Sequence, residues 1–187
     1  EEGLKEVYSK FFNTFKNTYS FFALYANTDN IDPRSYDVNY DDLEEIDKWL
    51  ISKYNKLLDY VTKSYDEYDL TKVVRSVTDF VSEDLSNWYI RRNRNRFWSS
   101  ELDNSKKSVY ITTYEVLEGL CRMIAPVVPF VTDEIYTNLT GEESVHLADY
   151  PAYDSSKFND EIEEKMDKVR DLISLGRNAR EDVKIKV

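Results

Sequence analysis

The segment from Leu70 to Trp98 reads LTKVVRSVTDFVSEDLSNWYIRRNRNRFW, and its first two thirds carry a continuous apolar stripe. The stripe consists of Leu70, Val73, Val74, Val77, Val81, Leu85 and Trp88. This spacing matches the 3.6-residue turn of an α-helix and leaves the helix with one apolar face. We therefore predict an amphipathic helix that begins near Asp69 and packs against other helices.

The same helical period recurs on both sides of this segment. It predicts further helices from Leu4 to Ala26, from Asp41 to Val61, from Ser105 to Ile124, from Pro129 to Leu139 and onward from Asn159. Asp41, with Glu44 three residues later, has the pattern of a capping box at the start of the second helix. Strands and helices do not alternate along the chain. We therefore predict an all-α fold, an antiparallel bundle of four to five long helices.

The domain organisation follows from the same pattern. We expect residues 1–180 to form one helical bundle and residues 181–187, which read EDVKIKV, to begin a further segment. The chain opens within a helical pattern and closes on a strand-like one, so we expect both ends to be cuts in a longer protein. The chain has 187 residues, of which 41% are hydrophobic and 33% are charged. That balance is typical of a folded domain with a core of its own.

Composition also excludes several classes of protein. No apolar run approaches the roughly 20 residues of a membrane span, and no secretory signal opens the chain, so we expect a cytoplasmic protein without membrane contact. The single cysteine, Cys121, excludes an internal disulfide and a cysteine-rich zinc site. The single histidine, His146, lacks a serine or cysteine motif to serve. We therefore expect no catalytic residue, no metal site and no cofactor in this chain.

Charge is unevenly distributed along the chain. There are 36 acidic and 25 basic residues, a net charge of −11. Residues 28–69 carry 12 acids against 5 bases, and residues 142–167 carry 9 against 2. In contrast, residues 88–98 hold four arginines and no acid, and residues 168–187 hold six bases against three acids. Screening limits interactions to about 8–10 Å, so the local sign decides what a surface binds.

The arginine segment from Trp88 to Trp98 permits two interpretations. Arginines next to aromatic residues are the side chains that bind phosphates and unstacked bases. At 100° per residue, however, Arg92 lies about 40° from Trp88 and continues the buried stripe. Arg92 is then expected to pair with acids inside the bundle, whereas Arg94 and Arg96 are less suited to do so. Both interpretations remain open at this point.

Several longer strings resemble one known family. The strings are DLSNWYIRRNRNRFW, LCRMIAPVVPFVTDEIY, SVHLADYP, SLGRNAREDVKIKV and, near the start, NTYSFFALYAN. In order and spacing they resemble the part of the isoleucyl-tRNA synthetases that follows the catalytic domain. The resemblance covers the chain from about Leu4 to Val187. Valyl- and leucyl-tRNA synthetases share some of the strings, but DLSNWYIRR and VHLADYP are closer to the isoleucine enzymes.

The resemblance implies a function for the chain. The parent would be a class I ligase that joins isoleucine to its tRNA with ATP and Mg²⁺, and this part would be its helical anticodon-binding domain. The HIGH- and KMSKS-type motifs of catalysis are absent from this sequence, so the part would position tRNA without a catalytic or editing site. Its partners would be isoleucine tRNA and the catalytic and C-terminal domains of the same chain.

The resemblance also implies which residues bind tRNA. The expected tRNA-binding residues are Asn87, Arg91, Arg92, Arg94, Arg96 and Trp98. Trp88 and Tyr89 are expected to pack the helix. Two alternatives stay open: the equivalent domain of a valyl- or leucyl-tRNA synthetase, and a protein-interaction bundle without RNA contact. The second would bury all four arginines against acidic side chains.

Overall fold

The computed structural model describes residues 8–184, and within that range every regular element is helical. The α-helices are α1 Thr14–Asp29, α2 Glu45–Asp66, α3 Leu70–Asp79, α4 Arg91–Trp98, α5 Asn104–Ile124, α6 Pro129–Thr140 and α7 Asp160–Asp182. Two further segments are π-helical. Tyr8–Asn13 precedes α1, and Phe80–Ile90 joins α3 to α4. The predicted all-α bundle is confirmed. The predicted helical positions before Tyr8 lie outside the described range. Of the strand-like tail at 183–187, residues 185–187 also lie outside it, whereas Val183 and Lys184 form a turn after α7.

The helix starts show where local signals decide the structure and where tertiary contacts override them. The Asp69 carboxylate accepts a hydrogen bond from the Lys72 amide at 3.0 Å, which caps α3 where predicted. The predicted capping box at Asp41 and Glu44 is wrong, since α2 begins at Glu45 and the Glu44 side chain does not cap it. Instead, the Glu44 carboxylate accepts a hydrogen bond from the Ser105 hydroxyl of α5. A tertiary partner therefore replaces the local one.

Helix α2 is the centre of the bundle and contacts α3, the Phe80–Ile90 segment, α5 and α7. Leu50, Leu58 and Val61 are fully buried on it. The Tyr54 side chain of α2 reaches the α5 backbone at Gly119, where an added Cβ would lie 1.8 Å from the Tyr54 hydroxyl. Glycine at this position thus makes room for the end of the tyrosine side chain.

The helix from Leu70 to Trp98 is continuous, but its middle third is π-helical. A π-turn bonds residue i to residue i+5 and places one extra residue in the turn. Each such insertion rotates the following residues by about 100° relative to an unbroken α-helix. Beyond the segment the buried face therefore passes through Asn93 and Phe97, not through Arg92 and Asn95. The prediction that Arg92 continues the buried stripe is wrong for this reason.

Helix α7 lies on the outside of the bundle. It has no fully buried residue, and it is exposed from Ser174 to Asp182. Its first half is attached to α2, because the Ser52 hydroxyl donates to the Glu163 carboxylate and the Lys56 ammonium lies 3.0 Å from it. The division of the chain after residue 180 remains a prediction, and α7 itself continues to Asp182. No helix within residues 8–184 is long and apolar enough to cross a membrane.

Candidate nucleic-acid interface

One exposed stripe on the helix from Leu70 to Trp98 collects four of the six predicted tRNA-binding residues. Asn87, Arg91, Arg94 and Trp98 follow each other at intervals of four, three and four, which places them on one side of a helix. All four are exposed. Within residues 8–184, neither Arg91 nor Arg94 has an ion-pair or hydrogen-bond partner. We call these four residues the arginine stripe.

Trp98 ends the arginine stripe with an accessible aromatic ring. The side chain is 53% exposed, which is unusual for tryptophan, and it lies beside Tyr25 of α1. The two ring centroids are 6.4 Å apart with an angle of 53° between the planes. Tyr25 therefore supports one side of the indole while more than half of it remains open to solvent. Such a ring is a surface on which an unpaired base can stack.

Arg92 lies next to the stripe and not in the core. Its side chain is exposed, and its guanidinium carbon lies 4.6 Å from the centroid of the Trp88 ring. The Arg170 guanidinium of α7 lies 5.3 Å from the same ring, and the Trp88 indole N–H donates to the Met166 sulfur at 3.1 Å. Trp88 thus packs the π-helical segment against α7, which fits its predicted packing role. Arg92 keeps its charge at the surface through a cation–π contact.

Arg96, in contrast, is directed into the bundle. Its side chain is 12% exposed, and its two terminal nitrogens each lie 2.8 Å from an oxygen of the fully buried Asp47 carboxylate. The Arg96 Nε–H donates to the Ser105 hydroxyl at 2.8 Å. Burial disfavours the charged form of Arg96, but hydrogen bonding to Asp47 outweighs it and raises the pKa of the guanidinium. The expectation that Arg96 is less suited than Arg92 to internal pairing is wrong.

The Asp47 carboxylate has a second partner, the Tyr89 hydroxyl, which donates to it at 2.6 Å. Burial, followed by the charge of Asp47, raises the pKa of this hydroxyl well above its usual value, so it remains a donor. Asp47 on α2 is therefore bonded to Tyr89, which lies just before α4, and to Arg96 in the last turn of α4. This bidentate cluster orients α4 and leaves Arg96 few free donors for a ligand. Its predicted contact with tRNA stays a prediction that the geometry does not favour.

An open cleft of about 450 Å³ lies between the arginine stripe and α7. Its lining residues include Asn87 and Arg91 on one side and Arg170, Ser174 and Arg177 on the other. The sequence interpretation had not assigned any α7 residue to the site. The signal for them was the excess of six bases over three acids in residues 168–187, but no sequence pattern showed which surface this segment would approach.

Comparison with known proteins agrees with this fold. The family model described as the anticodon-binding domain of tRNA ligase matches residues 47–187, most of the chain. The chain therefore belongs to the anticodon-binding domain family of tRNA ligases. Within that class, its similar relatives are isoleucine–tRNA ligases. The protein from Bacteroides thetaiotaomicron is 43% identical over 192 residues, which cover 100% of this chain and 16% of the relative.

Two clostridial isoleucine–tRNA ligases give the same result. The one from Clostridium tetani is 42% identical over 99% of this chain, and the one from Clostridium novyi is 43% identical over 100%. Each match covers 18% of the relative, so the chain spans less than a fifth of the length of these proteins. The resemblance to the isoleucyl-tRNA synthetases is confirmed, and it is favoured over the valyl and leucyl alternatives.

The structure also bears on the remaining alternative, a protein-interaction bundle with internal arginines. That interpretation requires all four arginines of the segment to be buried against acids. Only Arg96 has that environment, whereas Arg91, Arg92 and Arg94 are exposed. The surface of α4 is therefore positively charged on an otherwise acidic chain. It is the surface expected of a domain that binds a polyanion.

Proposed function

We propose that this chain binds the anticodon arm of isoleucine tRNA as part of an isoleucine–tRNA ligase. The observation that carries the proposal is the arginine stripe, where Arg91 and Arg94 are exposed beside the exposed ring of Trp98 and have no charge partner among residues 8–184. Eleven residues separate Asn87 from Trp98, roughly 16 Å along a helix. That length suits a contact with several successive nucleotides of one strand.

The two kinds of side chain in the stripe have different tasks. Arginine side chains bind backbone phosphates and release counterions, which gives affinity without base specificity. The Trp98 ring stacks on a base that is unpaired, as anticodon bases are, and Asn87 offers an amide for hydrogen bonds. Arg92 adds a third surface charge from its position over Trp88. The whole chain has a net charge of −11, and its acidic surfaces disfavour contact with RNA.

The chemistry of the ligase belongs to other parts of the parent protein. Within residues 8–184, no group of three or more histidine, cysteine, aspartate or glutamate side chains is placed to hold a metal ion. We assign ATP, Mg²⁺ and the attachment of isoleucine to the catalytic domain, and we expect that domain and the C-terminal region to be partners within one cytoplasmic chain. The present domain positions the tRNA.

The proposal is tested by the binding of isoleucine tRNA, valine tRNA and an unrelated tRNA to the full-length protein at two salt concentrations. Arg91→Ala and Arg94→Ala should each weaken the binding and reduce the slope of log affinity against log salt by about 0.7–0.9. Arg75→Ala is the matched control, because Arg75 is an exposed arginine on α3 of the same continuous helix. The proposal fails if isoleucine tRNA binds no better than the others, or if all three variants behave alike.

A further inference from the structure

We infer that the RNA-binding surface extends from the arginine stripe into the cleft beside α7, where Arg91 and Arg177 hold one backbone phosphate from opposite walls. This inference rests on the proposed function and assigns to α7 a direct part in it. Both arginines line the cleft, and within residues 8–184 neither has an ion-pair or hydrogen-bond partner. Their charges are therefore available to a ligand in the space between them.

The wall formed by α7 is held in place by contacts with the bundle. Arg170 Nη1 lies 2.5 Å from the Asp84 carboxylate, and its guanidinium also covers the rings of Trp49 and Trp88. These interactions neutralise Arg170 and fix this turn of α7 against the π-helical segment. Arg177 is seven residues further on and thus on the same side of α7. A ligand at Arg177 would therefore lie two turns beyond the anchored turn, on the exposed part of α7.

The size and lining of the cleft fit a phosphodiester group. A volume of about 450 Å³ is within the range of small-molecule sites, and the cleft is open to solvent, as a continuous strand requires. A guanidinium has a planar set of donors that matches the oxygens of a phosphate in a bidentate manner. The Asn87 amide and the Ser174 hydroxyl line the same space and can donate to the remaining oxygens.

Two carboxylates, Glu83 and Asp171, also line the cleft. Asp84 is already paired with Arg170 and Lys53, so these two acids are the groups that oppose an anion there. Arg91 and Arg177 must together outweigh them. Asp171 is next to Arg170 on α7 and is exposed, with no ion-pair partner within the described range. Removing its charge should therefore increase the affinity for RNA. The site can then be tested by a variant that binds more tightly as well as by one that binds more weakly.

The first experiment compares three variants of the full-length protein in binding isoleucine tRNA. Arg177→Ala should weaken binding by about three- to tenfold, because an exposed charge-assisted hydrogen bond is lost, and should reduce the salt slope by about 0.7–0.9. Asp171→Asn should tighten binding, and Arg75→Ala should change it less than Arg177→Ala. Because a phosphate contact is independent of sequence, a valine tRNA should lose affinity by the same factor.

The second experiment identifies the phosphate. Each phosphate of a synthetic anticodon arm is replaced in turn by a neutral methylphosphonate, and binding to wild-type protein and to Arg177→Ala is measured. At one position the substitution should weaken binding to wild type while Arg177→Ala has no additional effect, as a double-mutant cycle requires. Additive losses at every position would overturn the assignment of a contact to Arg177.

The outcomes separate this inference from the proposed function. If Arg91→Ala and Arg94→Ala weaken tRNA binding but Arg177→Ala and Asp171→Asn leave it unchanged, the cleft is not a binding site and the proposed function stands. If the wild-type protein does not distinguish isoleucine tRNA from unrelated tRNA, the proposed function itself is wrong. If Arg75→Ala equals Arg177→Ala, the effect belongs to net charge and the site is refuted.

Discussion

The two faces of α4 contain the same residue type in opposite environments. On the inner face, Arg96 is bonded to a buried carboxylate, and Phe97 packs edge-on between Phe21 and Tyr110 at centroid distances of 5.2 and 5.0 Å. On the outer face, Arg94 has no partner within residues 8–184. Within one string of four arginines, Arg96 is therefore in an internal ion pair while the others face solvent, and the rotation of the helix decides which arginine has which environment.

The largest loss of stability should follow from a substitution that disrupts the inner face of α4. Asp47→Ala removes the carboxylate and leaves the Arg96 guanidinium and the Tyr89 hydroxyl buried without their acceptor. Removing one partner of a buried ion pair typically lowers the free energy of unfolding by about 3–5 kcal/mol. Urea denaturation of Asp47→Ala should therefore show a free energy of unfolding lower by that amount. A loss below about 1 kcal/mol would show that the cluster does not hold α4.

The exposed ring at the end of the stripe should matter for binding more than for stability. Trp98→Ala removes a stacking surface worth about 1–3 kcal/mol per base, so the affinity for the anticodon arm should fall about five- to 150-fold. The salt slope should not change, because no charge is lost. Trp98→Phe keeps an aromatic ring and should restore most of the affinity. A change of slope in Trp98→Ala would contradict the stacking role.

Acid should weaken the contact between the end of α1 and α5. The Asp29 carboxylate at the end of α1 accepts from the Lys106 ammonium at 2.7 Å and the Tyr110 hydroxyl at 2.8 Å. Burial opposes its charge, but these hydrogen bonds outweigh burial and lower the pKa of Asp29. The resulting stability is present above the unfolded-state pKa of about 4 and is lost as the pH falls through the folded-state value.

This dependence can be measured by urea denaturation between neutral pH and pH 2. The wild-type midpoint should decrease as the pH falls below about 4, and Asp29→Asn should show a shallower decrease from a lower starting value. The Asn variant cannot gain a proton in this range, so it isolates the contribution of this carboxylate. Parallel curves for the two proteins would show that Asp29 makes no contribution to acid unfolding.

The smallest effect on stability should be that of Arg94→Ala. The side chain is exposed and has no partner among the residues described, so the free energy of unfolding should stay within about 0.5 kcal/mol of wild type. The same variant should weaken tRNA binding. Asp47→Ala and Arg94→Ala thus test the two faces of α4 by two measurements, first the free energy of unfolding and second the affinity for tRNA. Arg94→Ala should change only the second.

Much of the fold could be predicted because the information is local and repeated. The stripe from Leu70 to Trp88 predicted a helix that begins at Asp69, and the Asp69 carboxylate caps it. The predicted cap at Asp41 was wrong because Glu44 has a stronger partner on α5, 61 residues away. A local rule predicts a helix end reliably only when no distant group competes for the same side chain.

The candidate site was predictable in composition but not in orientation. The density of arginine and aromatic residues from Trp88 to Trp98 marked the binding segment, and Asn87, Arg91, Arg94 and Trp98 do lie on one exposed face. The directions of the arginine side chains were predicted for an unbroken α-helix. This geometry was wrong, because the apolar spacing does not show that Phe80–Ile90 is π-helical. The α7 wall of the cleft could not be predicted. Arg177 is 86 positions after Arg91 in the chain, and it lines the same cleft only because α7 packs beside the π-helical segment.

The amino-acid sequence by itself determined the helical class, the acidic body, the arginine-rich segment and the basic tail, because periodicity and charge are properties of neighbouring residues. Its longer strings also determined the family. Only the tertiary structure decided which arginine is bonded to Asp47, which ones face solvent and which helix lies beside them. These outcomes depend on the π-helical segment Phe80–Ile90 and on side chains far apart in the chain. A buried carboxylate selects its partner only after the helices have packed.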